Sequence, residues 1–282
     1  MAEDAIAAWH EHMAAGDFEA AWRISDRVPP RIWRGTPLAG KRVLIRCENG
    51  LGDTIQFIRY AALLRDAGSR VTVAPQANLA SLMPYVDGLS PGVEHEVEIE
   101  CTELPYAFRT TIETVPNRPY INFPFTPVPR NGRRRVGLVW ASGVYNPCRS
   151  VPLQTLAPLG SVAGVEWVSV QHGPGVQEAW RYGAPLGIDE SPAPENDDAL
   201  ATARQIADLD LVITVDTMVA HLAGALRKPV WTLLPFEADW RWLRDRDDSP
   251  WYPTMRLFRQ RRAGCWDDAV ARIVSALGEV RQ

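Results

Sequence analysis

The sequence predicts an α/β protein of two doubly wound parallel sheets, with a cleft between the two sheet domains and a short helical hairpin in front. Three observations predict it. Apolar runs of strand length alternate with helical patterns over 42–85 and again over 135–234, as parallel sheets with crossover helices require. Between the two blocks the chain is irregular and crowded with prolines (Pro116, Pro119, Pro124, Pro127, Pro129), which marks a junction. The 282 residues, 46% hydrophobic and 23% charged, are enough for two cores at about 150 residues per domain.

Taken in order, residues 4–26 read as two amphipathic helices around Gly16-Asp17, the helical hairpin of a tetratricopeptide repeat, and 29–40 as a linker. A strand is expected at 42–47, then the turn Gly50-Leu51-Gly52, a helix over 53–66, a strand at 71–74 and a short helix over 79–85. Residues 93–130 are expected to be irregular. The second block runs strand 135–140, helix 153–159, strand 167–171, helix 197–207, strand 211–215, helix 217–226 and strand 230–234. A last helix covers 266–280, with one apolar face. The expected domains are therefore a hairpin over 1–30, an N-terminal sheet domain over 41–130 and a C-terminal sheet domain over 131–282.

Composition excludes several function classes. The net charge of −4 and pI near 5.8 argue against generic affinity for nucleic acid or an anionic membrane. The most apolar stretch, 211–236, contains Asp216, His221, Arg227 and Lys228, so no transmembrane segment is expected. The start is acidic, with no basic n-region or apolar h-region, which points to a cytoplasmic protein; peripheral membrane contact stays open. Cys47, Cys101, Cys148 and Cys265 are scattered and suit reduced thiols, not a zinc site. Of the 30 basic residues only Lys41 and Lys228 are lysines, leaving arginine as the cation for any phosphate.

Two phosphate-loop look-alikes fail. Gly35 to Lys41 resembles a P-loop, but Arg42 replaces its Ser/Thr and the run precedes its strand. Gly50-x-Gly52 lacks the third glycine, and the second strand ends Val73-Ala74-Pro75 without a ribose-binding acid, which argues against a nicotinamide cofactor. What survives is Asn49-Gly50-Leu51-Gly52-Asp53. Its glycines admit close backbone approach, and Asp53, at a helix N-terminus, reads either as a cap or as a general base. At Asp216-Thr217-Met218 a strand feeds a helix whose free amides suit a phosphate. His221, one turn on, is a core histidine or a ligand-facing one. Arg149, after the turn Ala141-Ser142-Gly143, suits a diphosphate or is a solvated loop residue. Gln171 and His172 follow a strand end and line a nucleoside pocket or form a plain turn. In the aromatic, arginine-rich run from Asp239 to Gln260, acids interleave with arginines as in a self-paired structural network.

Taken together, the segments G-L-G-D-T-I-Q-F-I-R-Y, R-V-G-L-V-W, R-S-V-P-L, D-L-V-I-T-V-D-T-M-V-A-H-L-A-G-A-L and L-L-P-F-E-A-D-W-R-W resemble the heptosyltransferases, glycosyltransferase family 9. More closely they resemble the heptosyltransferase-like domains that follow tetratricopeptide repeats in bacterial proteins. The likeness covers about 41–280. It implies a GT-B fold, a nucleotide-sugar donor held mainly by the second domain, and metal-independent, inverting transfer without a cofactor. By the same resemblance Asp53 is the base, Arg149 stands where the family's phosphate-binding lysine is found, and Asp216, Thr217 and His221 match the diphosphate segment. Met218 replaces the usual glycine, and the segments 144–148 and 195–203 depart from the family's pattern.

The expected function is transfer of a sugar from a nucleotide diphosphate sugar to a hydroxyl of a glycan, a lipid-linked saccharide or a protein. Two other readings stay open: a non-catalytic nucleotide-sugar-binding scaffold, and a sugar-nucleotide epimerase on the same fold.

Overall fold

The computed structural model describes residues 3–28, 30–92, 94–129, 132–143, 146–188 and 198–279. The chain divides into two compact units, Met1–Phe123 with Asp239–Pro253, and Pro124–Ala238 with Thr254–Gln282.

The first unit opens with the hairpin α1 (Glu3–Ala15) and α2 (Phe18–Ser25). Gly16 makes the turn at φ +82°, a conformation glycine adopts without strain. The Asp17 carboxylate caps α2 by accepting from the Ala20 N–H. The hairpin is not a separate domain. Its inner side chains Met13, Phe18, Ala21 and Trp22 are buried within this unit, where α1 packs on the 3-10 turn Trp240–Trp242.

A three-stranded parallel sheet follows, in the order β2-β1-β3, from β1 (Arg42–Arg46), β2 (Arg70–Ala74) and β3 (Val97–Glu100). Val43 stands opposite Val71 on one side and Val97 on the other. β3 lies inside the stretch expected to be irregular. It ends at the 3-10 turn Cys101–Glu103, which leads into the single turn α5 (Leu104–Ala107).

The expected helix over 53–66 is two helices, α3 (Leu51–Phe57) and α4 (Tyr60–Asp66). The break falls where Arg59 folds back and donates to the Gln56 carbonyl at 2.6 Å. The helix expected over 79–85 is a 3-10 run, Ala77–Tyr85, containing Pro84, which supplies no N–H for an α-helical bond.

The second unit carries a five-stranded parallel sheet in the order β5-β4-β6-β7-β8. Its strands are β4 (Arg134–Val139), β5 (Val165–Ser169), β6 (Leu211–Val215), β7 (Val230–Leu234) and β8 (Met255–Arg259). Every residue of β6 and β7 is buried, as expected for central parallel strands covered on both faces. The helices are α6 (Val176–Tyr182), α7 (Ala199–Ala207), α8 (Met218–Ala225) and α9 (Asp267–Glu279). The segment expected as a helix over 153–159 is again 3-10, Leu153–Ser161 around Pro158. Neither α6 nor β8 was expected from the pattern.

The predicted parallel α/β sheets are therefore present, but the partition differs from the expected boundaries. Asp239–Pro253, read as part of the C-terminal domain, belongs to the first unit, where its Trp242, Trp251 and Tyr252 are buried. All four cysteines are free thiols. Among the described residues, no helix is long and apolar enough to cross a membrane.

Candidate functional site

In an open parallel sheet, ligands gather where the strand order reverses, beyond the carboxyl ends of the strands. In the first unit that point lies between β1 and β3, and in the second between β4 and β6. The candidate residues follow those strands.

Beyond β1, Gly50 caps α3 and Asp53 is the third residue of the helix, not its cap. Asp53 Oδ2 accepts from the Gly50 N–H at 2.9 Å, closing the first turn and satisfying one of its amides. A Cβ on Gly50 would stand 3.1 Å from that oxygen, so a side chain there would crowd the carboxylate. Gly52 lies within the first turn of α3.

Asn49 anchors the turn to β3. Its Nδ2 donates to Glu100 Oε1 at 2.9 Å and to Thr102 Oγ1 at 3.3 Å, while its carbonyl accepts from Gln76 Nε2 at 2.7 Å. Glu100, buried at the end of β3, also accepts from the Glu48 N–H. Burial holds the Glu100 carboxyl above its ordinary range. The other Asp53 oxygen, Oδ1, is met by Arg241 Nη2, and Arg241 Nη1 donates to Asp239 Oδ1 at 2.7 Å.

In the second unit, Asp216 stands just past β6 and is buried. Arg149 Nε lies 3.4 Å from its Oδ2, and His221 Nε2 lies 3.9 Å from its Oδ1. The loop after β4 and the junction after β6 are thus brought together by one buried carboxylate. Thr217 occupies the cap position of α8 but directs its hydroxyl to Thr214 Oγ1 at 3.3 Å, and Met218 opens the helix, half-buried. His221 is buried on α8 beside Asp216.

The β4 loop is closed on itself. The Ser142 N–H donates to Ser150 Oγ at 3.0 Å, the Ser142 hydroxyl donates to the Asn146 carbonyl at 2.8 Å, and a Cβ on Gly143 would meet open space. Val144 and Tyr145, and residues 195–197, lie outside the described residues.

Gln171 corrects an expectation. Its Oε1 accepts from the Trp140 and Ala141 N–H groups, and its Nε2 donates to the Ala141 and His172 carbonyls. The amide is spent on holding the backbone past β4 and β5, which leaves it no group for a nucleoside. His172 pairs with Thr202 Oγ1 at 3.0 Å and is half-buried. The run from Asp239 is only partly self-paired. Arg241 binds Asp239 and Arg246 binds Asp248, but Arg241 also reaches Asp53 and Arg244 reaches Glu11. Among the described residues, no three His, Cys, Asp or Glu side chains are grouped as for a metal ion.

Solved structures of similar fold come from bacterial glycosyltransferases. Heptosyltransferase II of Escherichia coli, described as an ADP-heptose lipopolysaccharide heptosyltransferase, matches 86% of this chain and all of its own, at a TM-score of 0.55 and 12% identity. The family 9 glycosyltransferase of Veillonella parvula matches 79% of this chain and 87% of its own, at 0.57 and 13%. The E. coli heptosyltransferase WaaC, solved with ADP, matches 85% and 98%, at 0.55 and 13%. The fold is that of a family 9, heptosyltransferase-like glycosyltransferase. No family model matches the sequence. Among curated proteins, the chain is 26% identical over 298 residues to protein FlbA of Caulobacter vibrioides, covering 89% of this chain and 48% of that protein. The chain therefore spans about half the length of that relative.

Sequence reasoning missed Glu100, Gln76 and the role of Arg241. Glu100 had a signal in the alternation Val97-Glu98-Ile99-Glu100, which marks a strand; Arg241 had none that pointed to Asp53.

Proposed function

We propose that this chain is a glycosyltransferase that moves a sugar from a nucleotide diphosphate sugar to a hydroxyl of a glycan, a lipid-linked saccharide or a protein. The observation that carries the reading is that, on a heptosyltransferase-like fold, a carboxylate stands at the strand-order reversal of one sheet and an arginine with a helix N-terminus at that of the other. The second unit takes the donor. Arg149 and the amides opening α8 at Met218 face the diphosphate, where charge grows as the bond to the sugar breaks. They supply the positive charge that a metal ion supplies in other transferases. In the first unit Asp53 is the base: the acceptor O–H proton passes to its carboxylate, the acceptor oxygen bonds to the anomeric carbon, and the bonding pair of the carbon–phosphate oxygen link leaves with the nucleoside diphosphate. One displacement of this kind inverts the anomeric centre.

ADP and ADP-heptose are the first probes, because the structural neighbours include enzymes described with them. Calorimetry should show ADP binding equally in EDTA and in magnesium. Nucleotide release should be measured on a panel of ADP-, UDP- and GDP-sugars. Asp53→Asn should fold and bind ADP as the wild type does while losing about 10²–10⁴-fold in turnover, the worth of a positioned base. ADP affinity that disappears in EDTA would remove the metal-free donor site, and unimpaired turnover in Asp53→Asn would return that residue to closing a helix turn. Sugar-nucleotide conversion without nucleotide release would favour an epimerase.

A further inference from the structure

We infer that Arg241 is a positioning residue for Asp53, with Asp239 as its permanent counter-ion; this rests on the transferase reading above. All three residues lie in the first unit. The guanidinium spans both carboxylates, Nη2 on Asp53 Oδ1 and Nη1 on Asp239 Oδ1. It lies over two aromatic faces, 5.5 Å from the centre of Phe57 and 4.9 Å from that of Trp240. Phe57 is four residues after Asp53 on α3, so one face of the helix presents the carboxylate and a platform for its partner. Asp239 is itself fixed, because its Oδ1 also accepts from the Arg241 N–H at 3.1 Å and caps the turn Trp240–Trp242. The Arg241 side chain is 15% exposed and that of Asp53 23%, so a flat fork held on both sides meets a carboxylate that still reaches solvent.

The arrangement fixes which lone pairs of Asp53 remain for an acceptor. Oδ2 takes the Gly50 N–H and Oδ1 takes Arg241, and each carboxylate oxygen can accept once more. With both oxygens tied, the carboxylate plane cannot turn, and an incoming hydroxyl finds it in one orientation. Asp239 matters when the proton arrives. Asp53 then becomes neutral, and the second carboxylate keeps the guanidinium in place for the next turnover.

The test is steady-state nucleotide release by the full chain from the donor that the wild type turns over, with water or a hydroxyl acceptor. Arg241→Ala should lower kcat by about 10²-fold, the scale of a misplaced catalytic group. Its KM for the donor should change less than twofold, since the donor site is in the other unit. Millimolar guanidinium should restore part of the Ala variant's rate, and Arg241→Lys should fall between Ala and wild type; these two measurements hold even if the Ala variant is weakly folded. On an Asp53→Asn background Arg241→Ala should cost nothing more, because a residue acting through Asp53 has nothing left to position. Wild-type kcat in Arg241→Ala, or a full further loss on the Asn background, overturns the role of Arg241 and leaves the transferase reading standing. A wild type that releases nucleotide from none of the sugars overturns that reading, and the role of Arg241 with it.

Discussion

Arg149 shows how a single charged side chain divides its work. Its Nε lies 3.4 Å from the buried Asp216 carboxylate, and its side chain is 30% exposed, so the guanidinium is tethered where a ligand can still reach it. Arg149→Ala should therefore weaken ADP binding by about 1.5–3 kcal/mol, the worth of a charge-assisted hydrogen bond, while adenosine binding stays nearly constant. Titration calorimetry of both ligands checks it, and equal losses would remove Arg149 from the diphosphate. The positions of such residues were legible in the sequence because strand, turn and helix are local signals: Asp53, Arg149, Asp216 and Thr217 all come after a strand end. Arg241 was not, because it meets Asp53 across 188 residues and no periodicity records such a meeting. Gln171 was misread for a related reason. Its position after a strand resembles a ligand site, but its claim on the backbone of Trp140 and Ala141, 31 and 30 residues away, emerges only when β4 and β5 pair.

At the scale of elements, the central strands and the helices beside them were legible because β6 and β7 are continuous apolar runs buried on both faces. β3 and β8 lack such a run: β3 carries only the four-residue alternation Val97–Glu100, and Arg256 and Arg259 interrupt β8. The break between α3 and α4 has a tertiary cause. Arg59 is fully enclosed, and it donates to the carbonyls of Gln56 and Trp251 at 2.6 Å and of Pro116 at 3.0 Å. Its guanidinium also stacks on Tyr120, Trp251 and Tyr252, 4.5 to 5.4 Å from the ring centres. One side chain thus joins the helix break to the returning segment Asp239–Pro253. Arg59→Met keeps most of the volume but orphans the buried carbonyls of Gln56 and Trp251, at about 1–3 kcal/mol each before relaxation. A loss of roughly 3–5 kcal/mol in urea unfolding, with ADP affinity unchanged, is expected. A variant as stable as the wild type would show that aromatic packing alone holds the segment.

For the whole molecule, acid should act on the first unit through a set of surface carboxyls. Glu11, Asp26, Glu96, Glu98, Glu113 and Asp248 all titrate below their ordinary values, and all six lie in the first unit. The causes are local: Arg244 binds Glu11, Arg109 and Tyr106 bind Asp26, the Arg42 N–H binds Glu96, Arg46 binds Glu98, Thr111 binds Glu113, and Arg246 binds Asp248. A carboxyl whose folded pKa lies below its unfolded one adds stability above the unfolded value, and loses it as pH falls through the folded value. With ordinary values of 4.5 for Glu and 3.8 for Asp, that loss begins below about pH 4.5. Glu100 works in the other direction. Its folded value is raised by burial, so its contribution is full below 4.5 and is lost as pH rises through the raised value. Acidification therefore regains stability at Glu100 above about pH 4.5 and loses it at the six below, each of the six being a modest surface interaction. The net expectation is a first unit that loosens as the pH is lowered from about 4.5 toward 3. Amide hydrogen exchange, corrected for its intrinsic pH dependence, should accelerate over residues 3–123 and 239–253. Glu100→Gln, which cannot ionise, should leave the limb below 4.5 unchanged and abolish the gain that acidification toward 4.5 gives the wild type. Exchange that accelerates only in the second unit, or a Gln variant that departs from the wild type only below pH 4.5, would mean that these carboxylates do not govern acid stability.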